Sequence, residues 1–339
     1  MTRKTFFLTA FFLTAPALFG ASEAPSSDQV SGPVLGYLFD SQQGNFLPVW
    51  GIPGAARIGD PLLADVSVVT AEVSPSQAFA LGIGAGGEVY KISLSPAGAA
   101  GAAIDGLTGI DRVVISPSGS AAAAYDRQTG SAALLTNLGG DPTVGGTADL
   151  SSVPGVLTGL AVNDAGTVIL AASASRDAGA LSAVRPGDAA SPIGAIGRAV
   201  GLAFVAGTND AVVADVDRGE ILSVRNVTGG GEIIVLASGS DGVEGAVAVG
   251  AANGSALAVS TSMGALITVP LGGGSVTITD CECQPTTVSA MNGVHRLTSD
   301  LTSAIILADV TGADPRILFV PALGGAAQTT SSSRSRRGR

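Results

Sequence analysis

Between about residues 32 and 323 the chain alternates short apolar runs, four to eight residues long, with polar turns rich in Gly, Ser, Asn and Asp. The runs belong to a larger phrase: an apolar run, a polar turn, then a second apolar run. Its turns read Ser74-Pro75-Ser76, Ser116-Pro117-Ser118-Gly119-Ser120, Asn163-Asp164-Ala165-Gly166-Thr167, Ala206-Gly207-Thr208-Asn209-Asp210, Ala251-Ala252-Asn253-Gly254-Ser255 and Ser299-Asp300-Leu301-Thr302-Ser303, beginning 42 to 48 residues apart. Runs of this length bounded by turn residues predict strands. A sustained period of 40 to 50 residues built from such strands predicts a β-propeller, one repeat per blade.

The fourth repeat gives the clearest division into strands: 200–205, 211–216, 220–226 and 232–236, with Asp217-Arg218-Gly219 as a tight turn. Asp in such a turn bonds its own backbone and Gly accepts positive φ. No helix is predicted, because Ala-rich stretches such as Ala121-Ala122-Ala123-Ala124 are short and occupy a second-strand slot. Six inner-strand phrases predict an all-β propeller of six four-stranded blades. Seven is the alternative, since an N-terminal hairpin (34–40 and 45–50) supplies one strand more than six blades need. That hairpin is expected to close the ring by completing the outer pairing of the last blade. The strands of that blade are predicted at 294–298 (inner), 304–309 and 316–321, after a long connection over 278–293.

Composition modifies this picture at both ends. Met1-Thr2-Arg3-Lys4 is basic, Phe6 to Phe19 is apolar, and small residues follow at Gly20, Ala21, Ser22 and Ala24. This is the order of a secretory signal peptide, which defines an expected segment 1–24 and an exported location, periplasmic or extracellular. Nothing later is long and apolar enough to span a bilayer as a helix. The propeller domain is expected over 32–323, and the Gly/Ala/Ser/Arg-rich stretch 324–339 is expected to be a disordered tail.

The formal net charge is −10, from 17 basic and 27 acidic residues. Nucleic-acid binding needs a basic face and anionic membranes attract bases, so neither partner is expected. The expected partner is a protein, a glycan or a small molecule, and the expected state a monomer. Only 4% of residues are aromatic while Gly numbers 48. The blades are therefore expected to pack through many small aliphatic contacts.

The phrase Val113-Val114-Ile115-Ser116-Pro117-Ser118-Gly119-Ser120, followed by Ala124-Tyr125-Asp126 and Ala132-Ala133-Leu134-Leu135, resembles the repeat of bacterial exported YVTN-type propeller proteins. Residues 212–221 are similar. The resemblance extends over roughly 32–323 and rests on the turn-and-strand pattern; the Tyr-Val-Thr-Asn tetrapeptide itself is absent. It implies an exported propeller, and it extends to lactonase-type propellers, whose catalysis uses His and acidic residues clustered in the channel.

Candidate chemistry is sparse. His295 is the single histidine, so a pair of His ligands or a two-His relay is excluded; His295-Arg296 stands at the start of the predicted last inner strand. Cys281-Glu282-Cys283 is expected to form a local disulfide, with free thiols or metal or redox work as alternatives. Asp210, Asp215 and Asp217 lack the spacing of a calcium loop. The Gly-rich stretches at 84–87, 229–231 and 272–274 lack the Lys-Ser/Thr of a phosphate loop. No catalytic, metal or cofactor site is assigned.

Propellers bind through loops entering their inner strands, which here include 50–65, 104–112, 139–158, 241–244 and 279–296. The candidate rim comprises Trp50, Arg57, Asp111, Arg112, Arg198, Glu244, His295 and Arg296. Two functions remain open: a non-catalytic binding or scaffold module, or a channel-centred hydrolase. Carboxylates converging with His295 would favour the hydrolase, and a ring of Ala, Val and Ser the binding module.

Overall fold

Because each strand of a propeller blade lies between two neighbouring sheets, apolar runs here need not alternate with polar residues. Both faces of a strand are covered, so the run is apolar throughout. The computed structural model, which describes residues 32–176, 178–312 and 314–322, shows this directly. In the strand Ile169–Ala174, Ile169 and Ala171 enter one hydrophobic cluster, while Leu170 and Ala172 enter the next. The expected signal segment 1–24 and tail 324–339 lie outside the described residues.

Among the described residues the strands form seven antiparallel sheets of consecutive strands, six with four strands and one with three. They are blade 1 (34–58), blade 2 (70–103), blade 3 (112–149), blade 4 (156–196), blade 5 (199–237), blade 6 (246–280) and blade 7 (289–320). The protein is thus a seven-bladed propeller; the leading count of six is one short and the alternative of seven holds. Among the described residues helix is limited to two single turns, Val227–Gly229 and Gly239–Asp241. The repeat at 200–236 divides as predicted to within a residue, into Ala199–Phe204, Ala211–Asp215, Glu220–Arg225 and Glu232–Ala237.

Blade 1 escaped the period because it is short. Its strands Val34–Asp40, Asn45–Ile52 and Ala55–Ile58 form a sheet of their own. The hairpin therefore takes part in closing the ring without lending a strand to the last blade. Blade 7 departs from the reading as well: the segment starting at Val294 is its second strand, Val294–Arg296. The innermost place belongs to Ser289–Met291, within the stretch read as a connection.

Seven buried clusters fill the seven gaps between neighbouring blades. The largest fully buried side chains are mostly Leu and Ile, with Phe46 and Phe204. Full burial of one such side chain contributes about 1.5–3 kcal/mol, so the ring is stabilised by many moderate contacts. Small residues let the inner strands approach. A Cβ on Gly201 would lie 2.7 Å from the Val249 backbone nitrogen, and one on Gly159 would lie 2.1 Å from Leu202 Cδ1. Bulges recur where inner strands begin: Leu35, Thr158, Val200 and Val247 are the unpaired residues in blades 1, 4, 5 and 6.

The turns after the inner strands link blades through polar contacts. Asp164 accepts the Ser118 N–H of blade 3 at 2.8 Å and the Gly207 N–H of blade 5 at 2.7 Å. Burial raises the Asp164 pKa, but these hydrogen bonds outweigh it and hold the carboxyl below its ordinary value. Gln77 occupies the turn position taken by Gly119 in blade 3 and Gly166 in blade 4, and shares their positive φ, 60° against 76° and 63°. A side chain in this region is strained. Its amide is fully used: Nε2 donates to Ser74 O at 2.9 Å and to Ala290 O of blade 7 at 3.1 Å. Oε1 accepts the Tyr37 N–H of blade 1 at 2.8 Å. One buried residue of blade 2 thereby bridges the first and last blades.

Candidate functional site

All seven inner strands run in the same sense, so each offers its first residues to one mouth of the axial channel and its last to the other. Together they line a cavity of about 560 Å³, within the range of small-molecule sites. Four ionisable side chains of the charged or histidine type line it: Glu72, Arg112, His295 and Arg296. Arg112 is the first residue of its strand Arg112–Ile115. Arg296 pairs with Ser289, the first residue of its own inner strand. Both arginines therefore stand toward the mouth where the chain enters the inner strands, with Glu72 one step deeper in Thr70–Val73.

The environment of these groups sets their charge. Enclosure by protein pushes the Glu72 carboxyl up to about 7, against the pull of Arg112, Arg296 and the Ile115 backbone N–H. The side chain keeps accessible surface inside the channel, so channel water moderates the cost of its charge. Burial lowers the Arg296 pKa and Glu72 raises it; a guanidinium remains protonated regardless. Burial alone holds His295 below its ordinary value, which keeps the imidazole neutral near pH 7.

Three buried polar atoms on this cavity have no hydrogen-bond partner: Arg296 Nε, His295 Nδ1 and Thr158 Oγ1. Buried polar atoms are normally paired; here two orphans belong to blade 7 and the third to blade 4, on the opposite side of the channel. Thr158 reaches the cavity from the bulge in blade 4, in keeping with the way bulges redirect side chains.

The cavity wall is not uniform. Blades 7, 1, 2 and 3 contribute Arg296, His295, Tyr37, Glu72, Gln77 and Arg112. Blades 4, 5 and 6 contribute Leu160, Val200, Leu202, Ala248 and Val249, with glycines at 159, 201 and 250. The cavity thus has a polar, cationic side and an apolar side.

Of the candidate rim, Arg112, His295 and Arg296 line the cavity; Trp50, Arg57, Asp111, Arg198 and Glu244 do not. Arg57 is exposed on the third strand of blade 1, cross-strand from Trp50. Asp111 accepts the Arg127 N–H at 2.7 Å and lines a separate hollow. Arg198 Nε lies 3.4 Å from Asp217, and the exposed Glu244 contributes its carbonyl to Ser260.

The three aspartates weighed for calcium are occupied separately. Asp210 accepts the Asn226 N–H, Asp215 accepts the Gly197 N–H, and Asp217 meets Arg198. Cys281 and Cys283 are joined by a disulfide away from the cavity, with Cys281 buried. Glu72 and Gln77 were missed from the sequence, although each breaks the repeat: an acid inside an inner strand, and a glutamine at a glycine position of the turn.

No protein-family model and no curated protein sequence matches the chain. Solved structures do. A functionally unknown protein from Desulfotomaculum acetoxidans superposes with a TM-score of 0.55 at 11% identity, over 85% of this chain and 99% of that one. A nidogen/laminin complex gives a TM-score of 0.49 at 13% identity, over 69% and 90% of the two chains. Chaetomium thermophilum Sqt1, bound to the N-terminus of ribosomal protein L10, gives 0.48 at 13%, over 85% and 87%. The first of these likenesses shows the fold alone.

Proposed function

We propose that this chain is an exported propeller that works as a non-catalytic binding module and receives a small molecule in its axial channel. The observation that carries the reading is the lining of the cavity: one carboxylate, Glu72, beside one imidazole, in a wall otherwise built mainly of small and aliphatic residues. Hydrolysis by acid–base or metal-assisted routes calls for converging acids, bases or ligands in defined geometry. A ligand site calls for a largely preformed hollow with a few placed polar groups, and the cavity has that form. Export is supported by the basic start and the apolar stretch from Phe6 to Phe19. The YVTN-type resemblance of the turn phrases points the same way.

The test is a ligand-observed NMR screen of fragments against the full chain and an Ala290→Trp variant. Ala290 is an exposed residue facing the cavity, and a Trp there fills the hollow from the strand beside His295. Fragments that bind the wild type and are lost in the variant support the reading. Ester or lactone turnover that disappears in His295→Ala overturns it. Export is checked separately, by the mass of the protein recovered outside the cytoplasm, expected to begin near residue 22 to 25.

A further inference from the structure

The channel is chemically two-sided, and its polar side carries more positive than negative charge in a chain whose net charge is −10. Arg296 is the informative group. Its Nε is buried and unpaired, and no ion pair closes on Glu72 among the described residues. A buried guanidinium without a hydrogen-bonded counter-charge is costly. Glu72 compensates it at a distance and only when ionised. An anion delivered by a ligand would neutralise the guanidinium from the channel.

The opposite wall constrains the rest of the ligand. Leu160, Val200, Leu202, Ala248 and Val249 offer no charge and no side-chain hydrogen bond, so the part of the ligand lying there must be apolar. We propose that the channel binds a small aliphatic carboxylate, its carboxylate group between Arg296 and Arg112 and its hydrocarbon against blades 4 to 6. This rests on the reading of the chain as a channel-binding module and narrows it to one ligand class.

Glu72 decides between kinds of anion. Beside a bound carboxylate it must hold its proton, and as a neutral acid it can donate a hydrogen bond to the incoming oxygen. A dianion would face a second full charge with one buried guanidinium available, since Arg112 is exposed at the mouth. Binding should therefore weaken as Glu72 ionises. Arg112 and Arg296 act on Glu72, and His295 and Tyr37 are the other titratable side chains lining the same cavity. The arginines stay charged and the burial-raised Tyr37 stays neutral, which leaves Glu72 and His295 to separate by mutation.

The test is calorimetric titration of the full chain with octanoate, octylamine, 1-octanol and inorganic phosphate at pH 6 and pH 8, each variant being checked for an unchanged melting profile. Octanoate is expected to bind, octylamine and phosphate not to. Its affinity should fall about tenfold between the two pH values if a site titrating near 7 must be protonated. Arg296→Gln should weaken octanoate at least tenfold, and Arg112→Gln less. Glu72→Gln should abolish the pH dependence of binding, while His295→Gln should leave that dependence in place.

Equal binding of octanol or octylamine, lost in Ala290→Trp, would overturn the carboxylate while leaving the channel-binding module standing. Phosphate binding as tight as octanoate, or pH dependence that vanishes in His295→Gln instead of Glu72→Gln, would overturn it too. Should Arg296→Gln fail to fold, Arg296→Lys serves in its place and must still weaken octanoate. No binding by any probe, together with no fragment found on the cavity, would remove both readings.

Discussion

The apolar side of the channel wall is regular throughout, and the charged side is regular only in part. Blades 4, 5 and 6 meet the axis with Leu160, Val200, Leu202, Ala248 and Val249, and with glycines where neighbouring strands touch. Blades 7, 1, 2 and 3 meet it with Arg296, His295, Tyr37, Glu72, Gln77 and Arg112. Blades 7 and 1 are also the irregular ones: blade 1 has three strands, and blade 7 places the short strand Ser289–Met291 inside the segment that bears His295 and Arg296. Regular repeats build a tight apolar wall because each must fit two identical kinds of neighbour. Departures from the repeat admit larger polar side chains: His295 and Arg296 come with blade 7, while Glu72 and Arg112 are single departures within the four-stranded blades 2 and 3.

The comparison breaks most sharply at Gln77. Replacing it with Leu strips partners from the buried Tyr37 N–H, for which the cost is about 1–3 kcal/mol, and from the part-buried Ala290 carbonyl. A loss of about 3 kcal/mol by urea denaturation is expected for Gln77→Leu. Gln77→Gly loses the same bonds but relieves the positive φ, so it should cost less than Leu. Equal losses would mean that the φ of 60° stores no strain.

On the regular side, Gly201→Ala is expected to cost about 1–3 kcal/mol, because its Cβ would press on the Val249 backbone and overpacking is destabilising by that order. Gly159→Ala should cost less, since it meets the mobile tip of Leu202. The reverse ranking would show that side-chain contacts, and not backbone approach, fix the blade spacing.

A smaller effect is expected from Cys281→Ser, Cys283→Ser. The disulfide closes a ring of three residues outside both halves of the channel, and loop-entropy reasoning gives a gain of about 1–2 kcal/mol for so short a loop. The double variant should remain folded, with octanoate and fragment binding unchanged; loss of several kcal/mol would make the loop a clasp between blades 6 and 7.

The smallest effect is the pH profile of stability. A carboxyl whose pKa is higher folded than unfolded holds its proton more tightly in the folded state. The contribution of Glu72 is therefore most favourable at acid pH and declines as pH rises from about 4.5 to about 7. Asp164, whose folded pKa is depressed, works the other way: its contribution is present above the ordinary carboxylate range and lost on acidification. Glu72→Gln should flatten the first slope only, as read by denaturation at a series of pH values.

Sequence alone was enough for most of the strands, because a run such as Ala211–Asp215 and its flanking turns obey rules that act over a few residues: apolar burial, Asp in turns, Gly at positive φ. The spacing of those turns set the repeat, and with it the propeller. Blade number, ring closure and the site were decided by tertiary structure. Blade 1 lacks the turn phrase that marks the other repeats, and the place of Ser289–Met291 depends on what packs beside it. Glu72 and Arg296 stand more than two hundred residues apart, so no local rule relates them. They share a wall because closing the ring brings the last blade round to the first, and that closure is fixed by packing between sheets and by the bridge through Gln77.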